Sequence, residues 1–309
     1  MRDAFADAVA AQGADPDVAF LTGDLGFMAL EPVRAAFGDR FVNVGVAEQN
    51  LMGIAAGLAS EGMRVYAYSI APFAALRAVE QIKLDITGPG LPVCVVGNGG
   101  GYGYGYMGPT HHALQDIAVL NAVGMRCLVP AFDADVGPMV AHWSGPTYLR
   151  LGRQEGSSPA PAGSSEGQSD GGGLHQLLAG HAGHLIALGP LAGVAVSAFA
   201  AAPEGQRPTV WACTALPVTS LPAELASLAR GERVAVFEEH GPIGGLGQQL
   251  AAALVAAGRQ PDFVHVAAGG YPSGRYGSQV FHRAESGLDA AAMRRQWGLQ
   301  RPGQARGAY

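Results

Sequence analysis

Asn43-Val44-Gly45-Val46-Ala47-Glu48-Gln49-Asn50-Leu51-Met52-Gly53-Ile54-Ala55-Ala56-Gly57-Leu58-Ala59 is the stretch on which the fold turns. A short apolar run reads as a strand, and Leu51, Ile54, Ala55 and Leu58 then recur at helical spacing. Glu48 therefore stands at a strand-to-helix junction among small residues. Two readings follow. A first-turn Glu is stabilised by the helix dipole. A carboxyl packed against Ala and Gly is also poorly hydrated, so its proton affinity should rise. Such an acid can share a proton with a ring nitrogen of a bound cofactor.

Outward from this junction the pattern repeats. Val18–Leu21, Phe41–Gly45, Arg64–Ser69, Pro92–Gly97, Met125–Val129 and Thr147–Leu151 read as strands. Helices are expected over Met1–Gln12 and from Ala71 to Thr87. Strands alternating with helices predict an α/β fold with a mostly parallel sheet covered on both faces. Ligands of such sheets bind beyond the strands' carboxyl ends, where Asp24, Glu48 and the run Gly99-Gly100-Gly101-Tyr102-Gly103-Tyr104-Gly105-Tyr106 all fall. That run lacks the Lys-Ser/Thr of a phosphate loop. It is expected to be a mobile wall whose tyrosines, Tyr104 among them, shape a substrate channel.

Residues 157–173 (SSPAPAGSSEGQSDGGG) have no apolar periodicity and read as a flexible linker. Beyond it, His184–Leu188, Thr209–Cys213, Val234–Phe237 and Phe263–Val266 look like strands of a second α/β unit. Its helices are expected near Leu191–Ala202, Gly247–Ala257 and Leu288–Trp297. The domain reading is thus 1–156, linker 157–173, and 174–309.

Of 309 residues, 49% are hydrophobic and 14% charged, and the net charge is −6. That balance suits well-buried cores and argues against a nucleic-acid-binding surface. Cys94, Cys127 and Cys213 share no ligand spacing and read as core residues of a reducing compartment. The start carries no signal-peptide pattern, and no segment approaches the roughly 20 apolar residues that span a bilayer. A cytoplasmic protein without membrane contact is expected.

Three blocks carry a resemblance. Gly45–Ala59 resembles the pyrimidine-binding domain of transketolases. Gly108-Pro109-Thr110-His111-His112-Ala113-Leu114-Gln115-Asp116-Ile117 is similar to the substrate-channel motif of transketolases and 1-deoxyxylulose-5-phosphate synthases. Glu238-Glu239-His240-Gly241-Pro242-Ile243-Gly244-Gly245-Leu246-Gly247 is similar to the signature of that family's C-terminal domain. The resemblance implies thiamine diphosphate as cofactor. Glu48 would hydrogen-bond its aminopyrimidine ring and favour the imino tautomer, which deprotonates the thiazolium carbon that attacks a ketose. Phe73 would stack on that ring, with Asp24 and Arg77 also at the cofactor. One departure is Ile70, where relatives often carry Phe.

His111 is the candidate for proton exchange with the transferred carbonyl or a neighbouring hydroxyl, since imidazole donates or accepts near neutral pH. His112 and Tyr104 join it as substrate-binding candidates. Arg150 and Arg153 resemble a segment that supplies a phosphate-binding Arg in some relatives. For these two, a structural ion pair is the alternative. No ligand spacing surrounds the paired histidines, so no metal is expected on this chain. Glu238, Glu239 and His240 are expected to shape interfaces, with Gly244, Gly245 and Gly247 permitting close approach.

The family's Mg²⁺-binding Gly-Asp-Gly has no match, for Gly23-Asp24 is followed by Leu25. The resemblance therefore implies a separate N-terminal-half subunit holding Mg²⁺ and the diphosphate. Two copies of each chain, with this chain homodimeric, would form an α₂β₂ assembly. The leading expectation is transfer of a two-carbon ketol unit from a phosphorylated ketose to an aldose, unusual or modified sugars included. The enzymatic rivals are a deoxyxylulose-phosphate-synthase-like condensation of pyruvate with an aldehyde, and a 2-oxo acid dehydrogenase E1 β-like subunit. A non-catalytic scaffold is the rival of a different class.

Overall fold

A computed structural model describes residues 1–26, 28–156 and 173–299. The apolar runs of the first half form β1 (Val18–Thr22), β2 (Phe41–Asn43), β3 (Arg64–Ile70), β4 (Val93–Asn98), β5 (Arg126–Leu128) and β6 (Thr147–Leu151). They lie in the order β5-β6-β4-β3-β1-β2, every neighbouring pair parallel. Every residue of β1 and of β6 is buried, as expected of parallel strands covered on both faces.

One face is covered by α1 (Arg2–Ala10), α2 (Glu31–Phe37) and α7 (Asp133–His142). There Phe5, Val33, Phe37 and Met139 pack with the strand aromatics Phe20, Tyr66 and Tyr68. Under the other face lie α3 (Glu48–Ser60), α4 (Ala71–Leu76), α5 (Val79–Gln81) and α6 (Asp116–Ala122). Leu51, Met52, Ala55, Ala75 and Ile117 fill that layer against Leu21, Val65 and Val95. The single helix expected over 71–87 is divided. It breaks at Arg77–Ala78, restarts as α5 and continues as a π-helical turn, Ile82–Thr87, which buries Ile82 and Ile86. Such irregular turns cluster at functional sites, and this break carries Arg77.

A second sheet holds β7 (Leu174–Leu178), β8 (His184–Leu188), β9 (Thr209–Cys213), β11 (Arg233–Glu238) and β12 (Asp262–Ala267), in the order β12-β11-β8-β9-β7. All pairs are parallel except β7, an antiparallel edge strand. Its helices are α8 (Leu191–Phe199), α9 (Ala223–Ala226), α10 (Leu246–Ala256), α11 (Gln279–Glu285) and α12 (Ala290–Gln296). The chain is thus α/β, with two mostly parallel sheets flanked by helices. Between β9 and α9, β10 (Ala215–Leu216) crosses to the first sheet and pairs antiparallel with β5.

The two halves share buried apolar surface. One cluster joins Cys127 and Val129 to Ile186, Leu188 and Leu246; another joins Tyr102, Leu114 and Phe132 to Leu185, Leu191 and Phe237. Of the expected linker, only Gly173 lies among the described residues, and it is tied to Thr214 by backbone and side-chain hydrogen bonds. Among the described residues no helix is long and apolar enough to cross a membrane.

Candidate active site

β1 and β2 run parallel as far as Thr22 and Asn43, and the chain then leaves the sheet through Gly45, whose φ of +78° makes the bend a glycine position. Glu48 opens α3 directly after the N-cap Ala47. Its side chain is 2% exposed. Both sequence readings therefore meet in one residue, a first-turn Glu that is also buried. The surroundings differ from the small apolar residues anticipated. Ser69 Oγ, at the carboxyl end of β3, donates to Oε1 at 3.0 Å, and Arg77 donates to Oε2 at 2.7 Å. Two donors and the helix N-terminus suit a carboxylate, and each oxygen keeps acceptor capacity beyond its one bond.

From Glu48 the functional side chains run on in contact. The Arg77 side chain is 45% exposed, and its guanidinium lies 4.3 Å from the Phe73 ring centroid. Phe73, half-buried on α4, meets the His111 ring edge-on at 5.1 Å. His111 Nδ1 shares a 2.8 Å hydrogen bond with Thr110 Oγ1, and the Tyr104 ring lies 5.8 Å away. Asn98, the last residue of β4, donates to the Tyr104 hydroxyl at 3.1 Å. Burial raises the Tyr104 phenol above its ordinary range, so it stays a neutral wall group. The series lies where the parallel strands end, as the topology rule requires. Asp24 sits exposed at the same edge and accepts from Asn43 at 3.2 Å. It lines a depression of about 220 Å³ together with Thr22, Glu31 and Arg34. Thr22 Oγ1 is buried there with no hydrogen-bond partner among the described residues.

Three candidates lie elsewhere. His112 is buried: Nε2 bonds the Gly105 carbonyl at 2.8 Å and Nδ1 the Tyr271 hydroxyl at 2.7 Å. The first contact fixes the proton on Nε2, and burial lowers the ring's pKa. Adjacent residues of an irregular turn point apart, which turns this imidazole inward while His111 faces the edge. Arg150 is 4% exposed and fully engaged, with Nε on Asp116 Oδ2 at 2.8 Å and Nη2 on the carbonyls of Ala113 and Glu239. It is thus the structural ion pair, the alternative to phosphate binding. Arg153 is exposed beyond β6. Residues that sequence reasoning passed over are Ser69 and Asn98, each a polar group closing an otherwise apolar strand at its carboxyl end. That position was the available signal.

The glycine–tyrosine run is not a free wall. Gly99 and Gly100 donate to Leu151 O, Gly101 and Ala113 exchange two backbone hydrogen bonds, and Tyr102 is wholly buried. Glu238 and Glu239 take the interface roles anticipated. Glu238 accepts from the amides of Leu246 and Gly247, and from His265 at 2.6 Å. A Cβ on Gly245 would stand 2.2 Å from its carboxylate, so close approach does require glycine here. Glu239 accepts from Tyr102 N at 2.6 Å, Gln279 at 2.8 Å and Arg283.

Residues 1–158 match the family model described as the transketolase pyrimidine-binding domain. The chain belongs to the transketolase family. A split-gene transketolase, solved as an inactive β4 tetramer, superposes with a TM-score of 0.78 at 31% identity, covering 97% of this chain and 99% of that one. A transketolase family protein of Sinorhizobium fredii is 34% identical over 257 residues, 80% of this chain and 73% of the relative. One chain of the two-part apulose-4-phosphate transketolase of Phocaeicola vulgatus is 36% identical over 144 residues, 45% of this chain and 46% of the relative. The match to that relative thus spans about half of its length. The fold is that of the C-terminal half of a split transketolase.

Proposed function

We propose that this chain is the pyrimidine-side component of a two-component transketolase, moving a two-carbon ketol unit from a phosphorylated ketose to an aldose. The supporting observation is the unbroken series Glu48–Arg77–Phe73–His111 at the end of the first sheet. Residues 1–156 would carry the site, and 174–309 would form the C-terminal unit.

The residues fit thiamine diphosphate on the pyrimidine side. Glu48 offers a buried carboxylate with spare acceptor capacity, Phe73 a half-buried aromatic beside it, and Thr22 an unpartnered buried hydroxyl at the same edge. When bound, thiamine diphosphate supplies a nucleophilic carbon that accepts the ketol unit. Glu48 holds a proton between its carboxylate and a pyrimidine nitrogen, while Arg77 and Ser69 fix which oxygen is free to do so. Phe73 gives apolar contact to the heteroaromatic ring. His111, with Nδ1 engaged by Thr110, leaves Nε2 to exchange a proton with a sugar hydroxyl or carbonyl oxygen. Arg153 takes the phosphate role, since Arg150 is committed inside the protein. The diphosphate and Mg²⁺ belong to a partner chain in an α₂β₂ assembly. The name of the Phocaeicola vulgatus relative supports an unusual sugar phosphate as substrate.

The test is reconstitution of this chain with a diphosphate-holding transketolase subunit, thiamine diphosphate and Mg²⁺. Ketol transfer between sugar phosphates should require both chains. Consumption of pyruvate instead, or turnover indifferent to Glu48→Ala, would overturn the proposal.

A further inference from the structure

The second sheet and its helices contribute none of the side chains placed at the candidate site, yet they hold the loop that presents two of them. Tyr104 and His111 lie between Gly101 and Ala113, a loop closed at its neck by the two hydrogen bonds those residues exchange. Both sides of the neck are gripped from the C-terminal unit. On the incoming side, Tyr102 N donates at 2.6 Å to Glu239 Oε1, a carboxylate 137 positions away. On the outgoing side, Gly241 N donates to Leu114 O at 2.6 Å. Arg150 joins the two, giving one nitrogen to Ala113 O at 2.7 Å and to Glu239 O at 3.0 Å.

The grip is close and dry. A Cβ on Gly101 would stand 2.5 Å from the Glu239 carboxylate, and one on Gly100 would stand 2.6 Å from Arg150. Glycine at these positions is what lets the two charged groups reach the loop backbone. Glu239 is in turn fixed by Gln279 and Arg283 of α11. Further along, Tyr102 stacks on His282 at 4.9 Å and bonds the Gly270 carbonyl at 2.9 Å.

We propose that Glu239 is a positioning residue for substrate: it fixes the loop that sets His111 and Tyr104 and, through that loop, gives the C-terminal unit a part in the reaction. The proposal rests on the transketolase reading of the site. Its physical logic is that ordering a loop of this length costs roughly 1–2 kcal/mol per residue. A small misplacement of a substrate-contacting group can cost about a hundredfold in rate. Glu239 removes that cost in advance. Glu48, Ser69, Phe73 and Arg77 stand outside the neck, so cofactor contacts on the pyrimidine side do not depend on it.

The experiment compares two neighbouring buried carboxylates in the reconstituted complex. In Glu239→Gln the amide nitrogen is brought against donors, and the grip on Tyr102 N loosens. In Glu238→Gln the damage falls on α10 and His265, which do not touch the loop. Three readings are taken on each: amide hydrogen exchange of the 99–113 segment, thiamine diphosphate affinity, and kcat and KM with xylulose 5-phosphate as probe donor. Glu239→Gln should speed exchange in that segment at least tenfold and raise donor KM about tenfold, with cofactor affinity within twofold of wild type. Glu238→Gln should lower the melting temperature without changing exchange of the segment or KM. If Glu239→Gln does not fold, Gln279→Leu, which removes one restraint on the same carboxylate, should shift exchange and KM in the same direction by a smaller factor. Unchanged exchange in the loop, or equal effects of the Glu238 and Glu239 variants, would overturn the proposal. Exchange is read without turnover, so absence of ketol transfer in the wild-type complex would refute the transketolase reading and leave the loop grip still measured.

Discussion

The buried acids at the open end of the first sheet and at the junction between the sheets are handled in opposite ways. Glu48 is 2% exposed, but its cation Arg77 is 45% exposed and the rings beyond it are only half-buried. At the junction Asp116, Arg150, Glu239 and Arg283 are all buried and bonded to one another or to nearby backbone. The same residue types thus give an exchangeable site in one place and a fixed strut in the other. What differs is whether the counter-charge can reach water.

The sharpest break of that contrast is at Glu48. In the reconstituted enzyme Glu48→Gln should lower turnover by about 10²–10⁴-fold, the range for loss of a positioned proton carrier. Stability should change little, since a half-exposed Arg77 can turn to solvent when its partner is lost. Turnover and thermal melting on one preparation check both halves. A large melting shift would make Glu48 a strut like the others.

At the junction the expected effect moves from rate to stability. Arg150→Met leaves Asp116 buried beside the Tyr148 hydroxyl with no cation, which should cost about 3–5 kcal/mol. Urea unfolding of the chain alone measures it. The double variant Arg150→Met/Asp116→Leu should recover part of that loss, because the orphaned charge is then gone. A cost below about 1 kcal/mol, the scale of an exposed pair, would erase the distinction drawn between the two regions.

These two regions were also unequally legible in the sequence. Strand and helix periods, the glycine bend and the position of Glu48 depend on neighbours in the chain, and the strands of the first sheet followed from them closely. The role of Arg150 did not, because its partners Asp116 and Glu239 come from 34 and 89 positions away. An arginine at a strand end looks alike whether it faces phosphate or a buried carboxylate. The loop at 99–106 misled for the same reason: glycines that suggest freedom locally are here where charged side chains close on the backbone. β10, two residues long, and β7, an evenly half-buried edge strand, carry no period to read. The break at Arg77–Ala78 lies in a sequence without Gly or Pro at that point, so only the tertiary pull of Arg77 toward Glu48 marks it.

A smaller effect is expected for Phe73. Replacing it by Leu keeps apolar bulk but removes the aromatic contact, worth about 1 kcal/mol, or roughly fivefold in affinity. Isothermal titration of thiamine diphosphate into the reconstituted complex should show that weakening, with urea unfolding of the chain alone unaffected. No change in affinity would move the pyrimidine contact away from this ring.

The smallest expected effect concerns pH, and it belongs to the junction. Burial lowers the pKa of His112 and of His240. For His240, Asp116 and Glu238 pull the other way and Arg150 reinforces the shift, yet burial leads. The hydrogen bonds agree with a neutral ring. His240 Nε2 accepts from the Ala118 amide at 3.3 Å while Nδ1 faces the Gly241 carbonyl at 2.8 Å, so a second ring proton would meet an N–H. A histidine whose folded pKa lies below its unfolded value of about 6.5 binds fewer protons when folded. Its contribution to stability is therefore complete above that unfolded value and is lost as pH falls from there through the folded one. Unfolding free energy of the chain should fall on acidification from pH 7 to pH 5. The slope should be shallower in His240→Gln, whose side chain does not take up a proton in either state. Phe73→Leu, at the open edge, should leave the slope as it is. An unchanged slope in the His240 variant would mean that the junction's acid sensitivity comes from its carboxylates rather than its imidazoles.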